Sequence, residues 1–205
     1  LKYTLLLFTF GMTACSDFLD EVNHSSQSAD KYYQTKGGYE SLIVGCYSNL
    51  KNIYNTTTYQ IFTQQGTDVF TQNYPTEVAA MNQYTTTYQS NNGTIYAMWS
   101  SYFNALNNVN AAIDRSKSVI LKTDDPDGIE PSALTQLVAE AKALRAWYLF
   151  EIVRNWGQGP LKINESKEPS YTVEYSNGAA FYQQIFTDLE EAISVLPWRQ
   201  TGSNY

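Results

Sequence analysis

The sequence is poor in the residues on which most enzyme chemistry depends. Its 205 residues include one histidine, His24, and two cysteines, Cys15 and Cys46. A Ser-His-Asp or Cys-His site would have to use that one imidazole, which lies in a polar stretch near the amino terminus. Zinc ligation by Cys/His clusters is excluded by count. Charge is also scarce. Asp, Glu, Lys and Arg make up 16 % of the chain, and no Lys or Arg occurs from Asn52 to Asp114. The net charge is -7 and there is no basic patch, so nucleic acid is not an expected partner. The apolar run near the amino terminus is too short for a membrane-spanning helix, which needs about 20 residues.

A glycosidase needs two positioned carboxylates. Glu140, Glu151, Asp188, Glu190 and Glu191 fall on predicted helices and read as surface or capping charges. Asp68 has only Glu77 near it in sequence. Asp124, Asp125 and Asp127 precede Gly128 in the manner of a calcium loop, but no bidentate Glu follows at the needed offset. That segment reads as a solvated acidic loop. No catalytic residue, cofactor or metal is expected.

Aromatic residues are abundant. They reach 15 % of the chain, with Tyr alone numbering 17. Asn, Gln, Ser and Thr supply most of the remaining polar surface. Tyr and Trp rings stack on the apolar faces of sugars, and amides bond their hydroxyls. The composition therefore suits a neutral, hydroxyl-rich ligand.

The periodicity predicts four helices. In the first, about 36–53, Tyr39, Leu42, Ile43, Cys46, Tyr47 and Leu50 share one face, Thr35 is a plausible cap, and Cys46 reads as a small buried hydrophobe. The second covers about 94–121, with Ile95, Trp99, Tyr102, Phe103, Leu106, Val109 or Asn110, and Ile113 in its stripe. The third covers about 132–155, started by Ser132 after Pro131 and stopped at Trp156-Gly157. The fourth covers about 179–196, and Pro197 ends it. Between the first two lies a long segment, 54–93, whose many aromatics argue against disorder. Tyr59–Phe62 reads as a short strand or a helical turn. A polar linker, 163–178, holds a candidate strand at Tyr171–Val173. In the third helix Trp147, Tyr148 and Phe150 read as packing groups. Arg145 needs a buried partner, with Glu140 one candidate.

The third helix carries the most specific wording: Ala139 to Leu161, AEAKALRAWYLFEIVRNWGQGPL. An EAK-x-LRA-x-Y-x-F run leading into a W-G-x-x-PL turn resembles the signature of the SusD/RagB family of Bacteroidetes surface lipoproteins. FYQQIFTDLEEAISVLP, in the fourth helix, resembles that family's next helix. The resemblance implies an all-α fold of tetratricopeptide-like antiparallel helix pairs with long irregular loops. No clean repeat of about 34 residues is visible in the sequence itself. The family continues well beyond Tyr205, so the resemblance implies an amino-terminal portion.

The amino terminus agrees. Lys2, the run TLLLFTFGMTA and then Cys15 look like an export signal, and Met12-Thr13-Ala14-Cys15 resembles a lipobox. The expected organisation is a lipoprotein signal peptide at 1–14, a lipidated tether at 15–34 and the helical domain at 35–205. Acylated Cys15 would hold the chain on the outer membrane. A plain secretory signal, with Cys15 incidental, remains the alternative. Cys15-Ser-Asp-Phe-Leu-Asp is similar to the mature start of family members.

The family implies a surface-exposed, non-enzymatic protein that binds an oligosaccharide and delivers it to a SusC-like TonB-dependent transporter. Its glycan contacts come partly from the segment between the first two helices. Gly66-Thr67-Asp68 resembles the family's Thr-Asp at the binding rim, which makes Asp68 a candidate contact, and Gln72, Asn73 and Tyr74 fall where relatives place an amide and an aromatic. Read without the family, Asp68 equally caps a turn and Tyr74-Pro75 packs. A second function class also stays open, a helical-repeat lipoprotein that binds peptide or protein as an assembly scaffold.

Overall fold

The computed structural model describes residues 29–70, 77–85, 88–170 and 172–198. The expected signal segment, Cys15 and His24 lie outside the described residues. Among those residues the chain forms seven α-helices, a 3-10 turn over Ser116–Ser118 and no strand beyond isolated bridges. The all-α class expected from the sequence is therefore the fold. Two units part between Tyr32 and Tyr33. The first contributes one described element, α1 (Ala29–Tyr32). The second holds α2 (Lys36–Tyr54), α3 (Thr57–Gln64), α4 (Glu77–Gln83), α5 (Gly93–Arg115), α6 (Pro131–Trp156) and α7 (Gly178–Val195).

Helix starts follow local side-chain chemistry. Oxygens of Thr35, Thr56, Asn92 and Asn177 each accept from a backbone N–H in the first turn of α2, α3, α5 and α7. Helix α6 opens on Pro131 itself, one residue before the expected Ser132, because proline at the first position gives up an N–H that had no partner anyway. It ends at Gly157, whose φ of 74° is the left-handed value that glycine adopts freely.

Three sequence expectations are corrected. Helix α5 stops at Arg115 rather than near 121, where the Ser116 and Ser118 hydroxyls turn back to the carbonyls of Ile113 and Arg115. The segment 54–93 is not one long irregular loop, since it holds α3 and α4. Tyr59–Phe62 is thus helical. In the linker, Tyr171 lies outside the described residues and Thr172 and Val173 form no strand. The pairing falls instead at an antiparallel bridge between Gly159 and Ser176.

Contacts between elements fix the direction of packing. Tyr39 donates to the Ala112 carbonyl, while Tyr54 lies against Tyr102, so α2 and α5 are antiparallel. Trp99 meets Trp156, Tyr102 bonds Glu151, and Asn110 meets Arg145, so α5 and α6 are antiparallel. Arg145 binds Asp188 and Lys142 binds Glu191, so α6 and α7 are also antiparallel, given Gly178 beside Val153. The core between these helices is built from Tyr39, Ile43, Met98, Tyr102, Leu106, Tyr148, Leu149, Ile152 and Phe181, all buried. Each such side chain contributes about 1.5–3 kcal/mol by leaving water. Cys46 is buried, as expected, and burial pushes its thiol up to about 12. Tyr148 packs in the core and Phe150 against it. Trp147 differs from the packing expectation. It is 44 % exposed and donates its indole N–H to Tyr54 at 2.7 Å.

Two of the five helical carboxylates are not surface groups. Glu151 and Asp188 are 1 % and 0 % exposed. Asp188 is the partner of Arg145, while Glu140 instead accepts from Tyr47. Arg145 and α5 also hold the extended strap at 162–166. Asn110 donates to the carbonyls of Lys162 and Asn164, Arg145 to Ile163 O, and Asn107 to Ser166 O. Asp114 accepts from Glu165 N, and Asn107 accepts from Ser166 N. Side chains thus satisfy a backbone that no ladder pairs.

Candidate functional site

A cavity of about 610 Å³ opens at the end of the bundle where α3, α5 and α6 meet. Phe62 of α3, Trp99 of α5 and Trp156 of α6 form its floor. Phe62 stacks on Trp156 at 5.8 Å, and Trp99 meets Trp156 edge-on at 5.1 Å. Both tryptophans are held from behind, by Phe103 against Trp99 and by Tyr102 against Trp156. Rings fixed on several sides are pre-organised for a ligand.

The rim is more open. Tyr88, Tyr96 and Tyr175 stand around it, the last two 69 % and 64 % exposed. Tyr96 and Tyr175 are each placed by a specific local device. Tyr96 sits in the first turn of α5, where Asn92 accepts from Thr94 N and Ile95 N. Tyr175 is positioned by its neighbour Ser176, which exchanges two backbone hydrogen bonds with Gly159 at 2.8 and 3.2 Å. Because Gly157 ends α6 just after Trp156, the chain turns there and brings 159 back toward the cavity. Ser90 and Asn155 add polar groups to the wall.

Among the described residues, none that lines this cavity carries a carboxylate, an imidazole, a thiol or an ammonium group. It offers ring faces, hydroxyls and an amide, the groups on which sugar rings stack and to which their hydroxyls bond. Elsewhere the Glu130 carboxylate raises the exposed Lys122 ammonium, and the other shifted groups among the described residues are tyrosines and a thiol in the packed interior. Burial raises the Tyr102 hydroxyl, and the adjacent Glu151 carboxylate raises it further. Burial likewise pushes Tyr54 up to about 12. Tyr102 donates to Glu151 at 3.1 Å, and Arg154 donates to the same oxygen at 2.7 Å, so the buried carboxylate is satisfied.

Asp68 is exposed on the turn that follows α3 and does not line the cavity. The turn is nevertheless tied to the rim. Tyr84 donates to the Gly66 carbonyl at 2.9 Å and packs edge-on against Tyr88 at 6.3 Å. Gln72, Asn73 and Tyr74 lie outside the described residues. In the acidic connector, Asp125 accepts from Asp127 N and Lys122 pairs with Glu130, both on the surface. Among the described residues no group of His, Cys, Asp or Glu is arranged to hold a metal.

Sequence reasoning counted Phe62 and Tyr88 only among the aromatics of 54–93 that argue against disorder, and it assigned Trp99 and Trp156 to packing and a helix stop. The available signal was weak: Trp156 is the last residue of α6 and Trp99 lies in the second turn of α5.

Comparison with known proteins agrees with this architecture. A SusD-like family model described as "Starch-binding associating with outer membrane" matches residues 17–202. A SusD-like protein of Formosa agariphila is 26 % identical over 166 residues, covering 77 % of this chain and 30 % of that protein. A SusD superfamily protein of Bacteroides vulgatus superposes with a TM-score of 0.68 at 21 % identity, over 83 % of this chain and 36 % of its own. A laminarin-binding SusD-like protein superposes with a TM-score of 0.62 at 21 % identity, over 80 % of this chain and 35 % of its own. The chain spans about a third of the length of these relatives.

Proposed function

Because the chain belongs to the SusD-like family, we propose that it binds an oligosaccharide in the aromatic cavity between α3, α5 and α6. The observation that carries this reading is a charge-free cavity floored by Phe62, Trp99 and Trp156 and rimmed by tyrosines. Sugar rings stack on such faces, and the wall amide and hydroxyl orient them. The laminarin-binding relative supports a glycan as the ligand class.

In the same proposal residues 1–14 are a lipoprotein signal, Cys15 carries the lipid, and 15–34 tether the helical domain to the outer membrane. The ligand is then handed to a SusC-like TonB-dependent transporter. Capture and release need no covalent step, only different affinities in the open and closed arrangements. Asp68, Gln72, Asn73 and Tyr74 are further proposed glycan contacts beyond the described cavity lining, and the turn that carries Asp68 is tied to Tyr88 through Gly66 and Tyr84.

Affinity electrophoresis against a panel of glycans tests the reading. Retarded migration that Tyr96→Ala and Tyr175→Ala relieve is the expected result. Unchanged migration in every gel would reject it. The scaffold alternative draws on the outer face of α7, where Tyr182, Phe186 and Ile193 are exposed. Loss of palmitate labelling in Cys15→Ala checks the anchor separately.

A further inference from the structure

A second cavity, of about 410 Å³, lies beside the first along α5. Its walls are Phe103, Asn104 and Asn107 on the helix and the chain from Lys162 to Pro169 opposite. The two cavities are neighbours through one ring pair. Trp99 lines the first, Phe103 lines the second, and their centroids are 4.5 Å apart. Tyr96, Trp99, Phe103 and Asn107 follow one another at helical spacing, so one ridge of α5 runs through both over about 17 Å.

The two ends of this ridge differ in charge. The aromatic end carries none. The other end carries Lys162, Lys167 and Glu168. Among the described residues, neither lysine is in an ion pair. The carboxylates closest in sequence to Lys162 and on facing α5 are committed elsewhere. Glu165 is held by Arg115 at 2.7 Å, and Asp114 accepts from Glu165 N at 2.8 Å. The backbone under Lys162 is fixed by Asn110, and that of Ser166 by Asn107. Two lysines and one carboxylate, Glu168, therefore line the cavity on a chain braced at Lys162 and Ser166, a local excess of positive charge in a chain whose net charge of -7 repels anions elsewhere.

We propose that this second cavity takes an anionic substituent, a carboxylate or a sulfate ester, on the same sugar chain whose uncharged rings lie against Trp99 and Trp156. This rests on the glycan reading above and narrows its ligand to acidic saccharides. Lysine suits the role, being a compact cation that pairs with either oxyanion without demanding a planar partner. The contacts are exposed, so each is weak alone and screened by salt. Together they favour a charged over a neutral chain by about tenfold at low salt.

Laminarin, carboxymethylated laminarin and sulfated laminarin form a probe set with one backbone and three charge states. Calorimetric titration of the whole chain should give tighter binding to one or both charged forms, with the difference lost on raising the salt. Lys162→Gln/Lys167→Gln should erase that difference and leave neutral laminarin binding unchanged, while Tyr96→Ala should weaken all three. The stronger of the two charged forms identifies the substituent. Equal binding of all three forms, or a charge preference that survives the double lysine variant, would overturn the proposal and leave the glycan reading standing. No binding of any form, with the fold intact by circular dichroism, would also overturn the proposal, and the glycan panel would then decide the glycan reading by itself.

Discussion

Arg145 on α6 grips Asp188 on α7 through two parallel hydrogen bonds, Nε to Oδ2 at 2.8 Å and Nη2 to Oδ1 at 2.6 Å. Both side chains are nearly sealed from water. A buried pair of this kind is costly to break from one side, because the remaining charge loses its partner where no solvent replaces it. Arg145→Met should therefore lower the unfolding free energy by about 3–5 kcal/mol. Arg145→Met combined with Asp188→Leu should recover most of that loss, since the apolar pair leaves no stranded charge. Urea titrations of the two variants decide the point. A double variant as unstable as the single one would show that the pair does more than neutralise itself.

Asn110 is the second anchor of the strap. Its amide donates to Lys162 O at 3.1 Å and Asn164 O at 3.2 Å, from a fully buried position. Asn110→Ala leaves two carbonyls to find water, at a cost of about 1–3 kcal/mol. The local signature is more telling than the stability. Amide hydrogen exchange should accelerate at 162–166 before it does in α2 or α7. Uniform acceleration across the domain would mean that the strap is not held in the way described.

Those two residues also show where sequence reading stops. The cap Thr35 and the stop at Gly157 act within a few residues of their own position, so they are visible in a single chain. The apolar stripes are visible for the same reason. Arg145 announces that it needs a partner, but Asp188 lies 43 residues away and joins it only through the register of α6 on α7. Glu140, nearer in sequence, points to Tyr47 instead. The candidate site follows the same rule. Phe62, Trp99, Trp156 and Tyr175 come from four separate stretches, and nothing local marks them as neighbours.

The buried hydroxyls and the thiol predict an alkaline limit. Burial raises Cys46 from 9.0 and Tyr54 from 10.0, each to about 12, and it pushes Tyr39, Tyr102 and Tyr148 up as well. The folded chain thus keeps protons that the unfolded chain has already released. Stability is intact below the unfolded thiol value and falls as the pH climbs toward the folded values. Each titrating group contributes a slope of about 1.4 kcal/mol per pH unit in that window. Urea unfolding at increasing pH should show a plateau through neutrality and a steep loss above about pH 10. In a Cys15→Ser chain, Cys46 should resist alkylation until denaturant is added. Rapid native-state alkylation would contradict its burial.

Two glycines separate backbone strain from collision. Gly157 has a φ of 74° but nothing within 4 Å of where a Cβ would sit. Gly157→Ala should cost only the left-handed penalty, about 1–2 kcal/mol. At Gly128 a Cβ would overlap the Leu121 carbonyl, beside the Leu121–Ile129 bridge. Two backbone segments would have to part, so Gly128→Ala should lower the melting temperature more than Gly157→Ala. The reverse order in thermal unfolding would show that the acidic connector is not tightly closed against Leu121.

The rim and floor of the aromatic cavity should respond differently to truncation. Tyr175 is 64 % exposed, so Tyr175→Ala removes a stacking surface with little loss of packing. A stacked ring contributes about 0.5–1.5 kcal/mol, so glycan affinity should fall by roughly twofold to tenfold while the unfolding midpoint stays in place. Trp156 touches Phe62, Trp99 and Tyr102, which makes it a structural member as well. Trp156→Ala should reduce affinity and also destabilise the chain by about 3–5 kcal/mol, as large-to-small core replacements do. Calorimetric titration paired with urea unfolding separates the two effects. If Tyr175→Ala left affinity untouched while a distant surface tyrosine such as Tyr182 proved necessary, the ligand would sit on α7 and not between α3, α5 and α6.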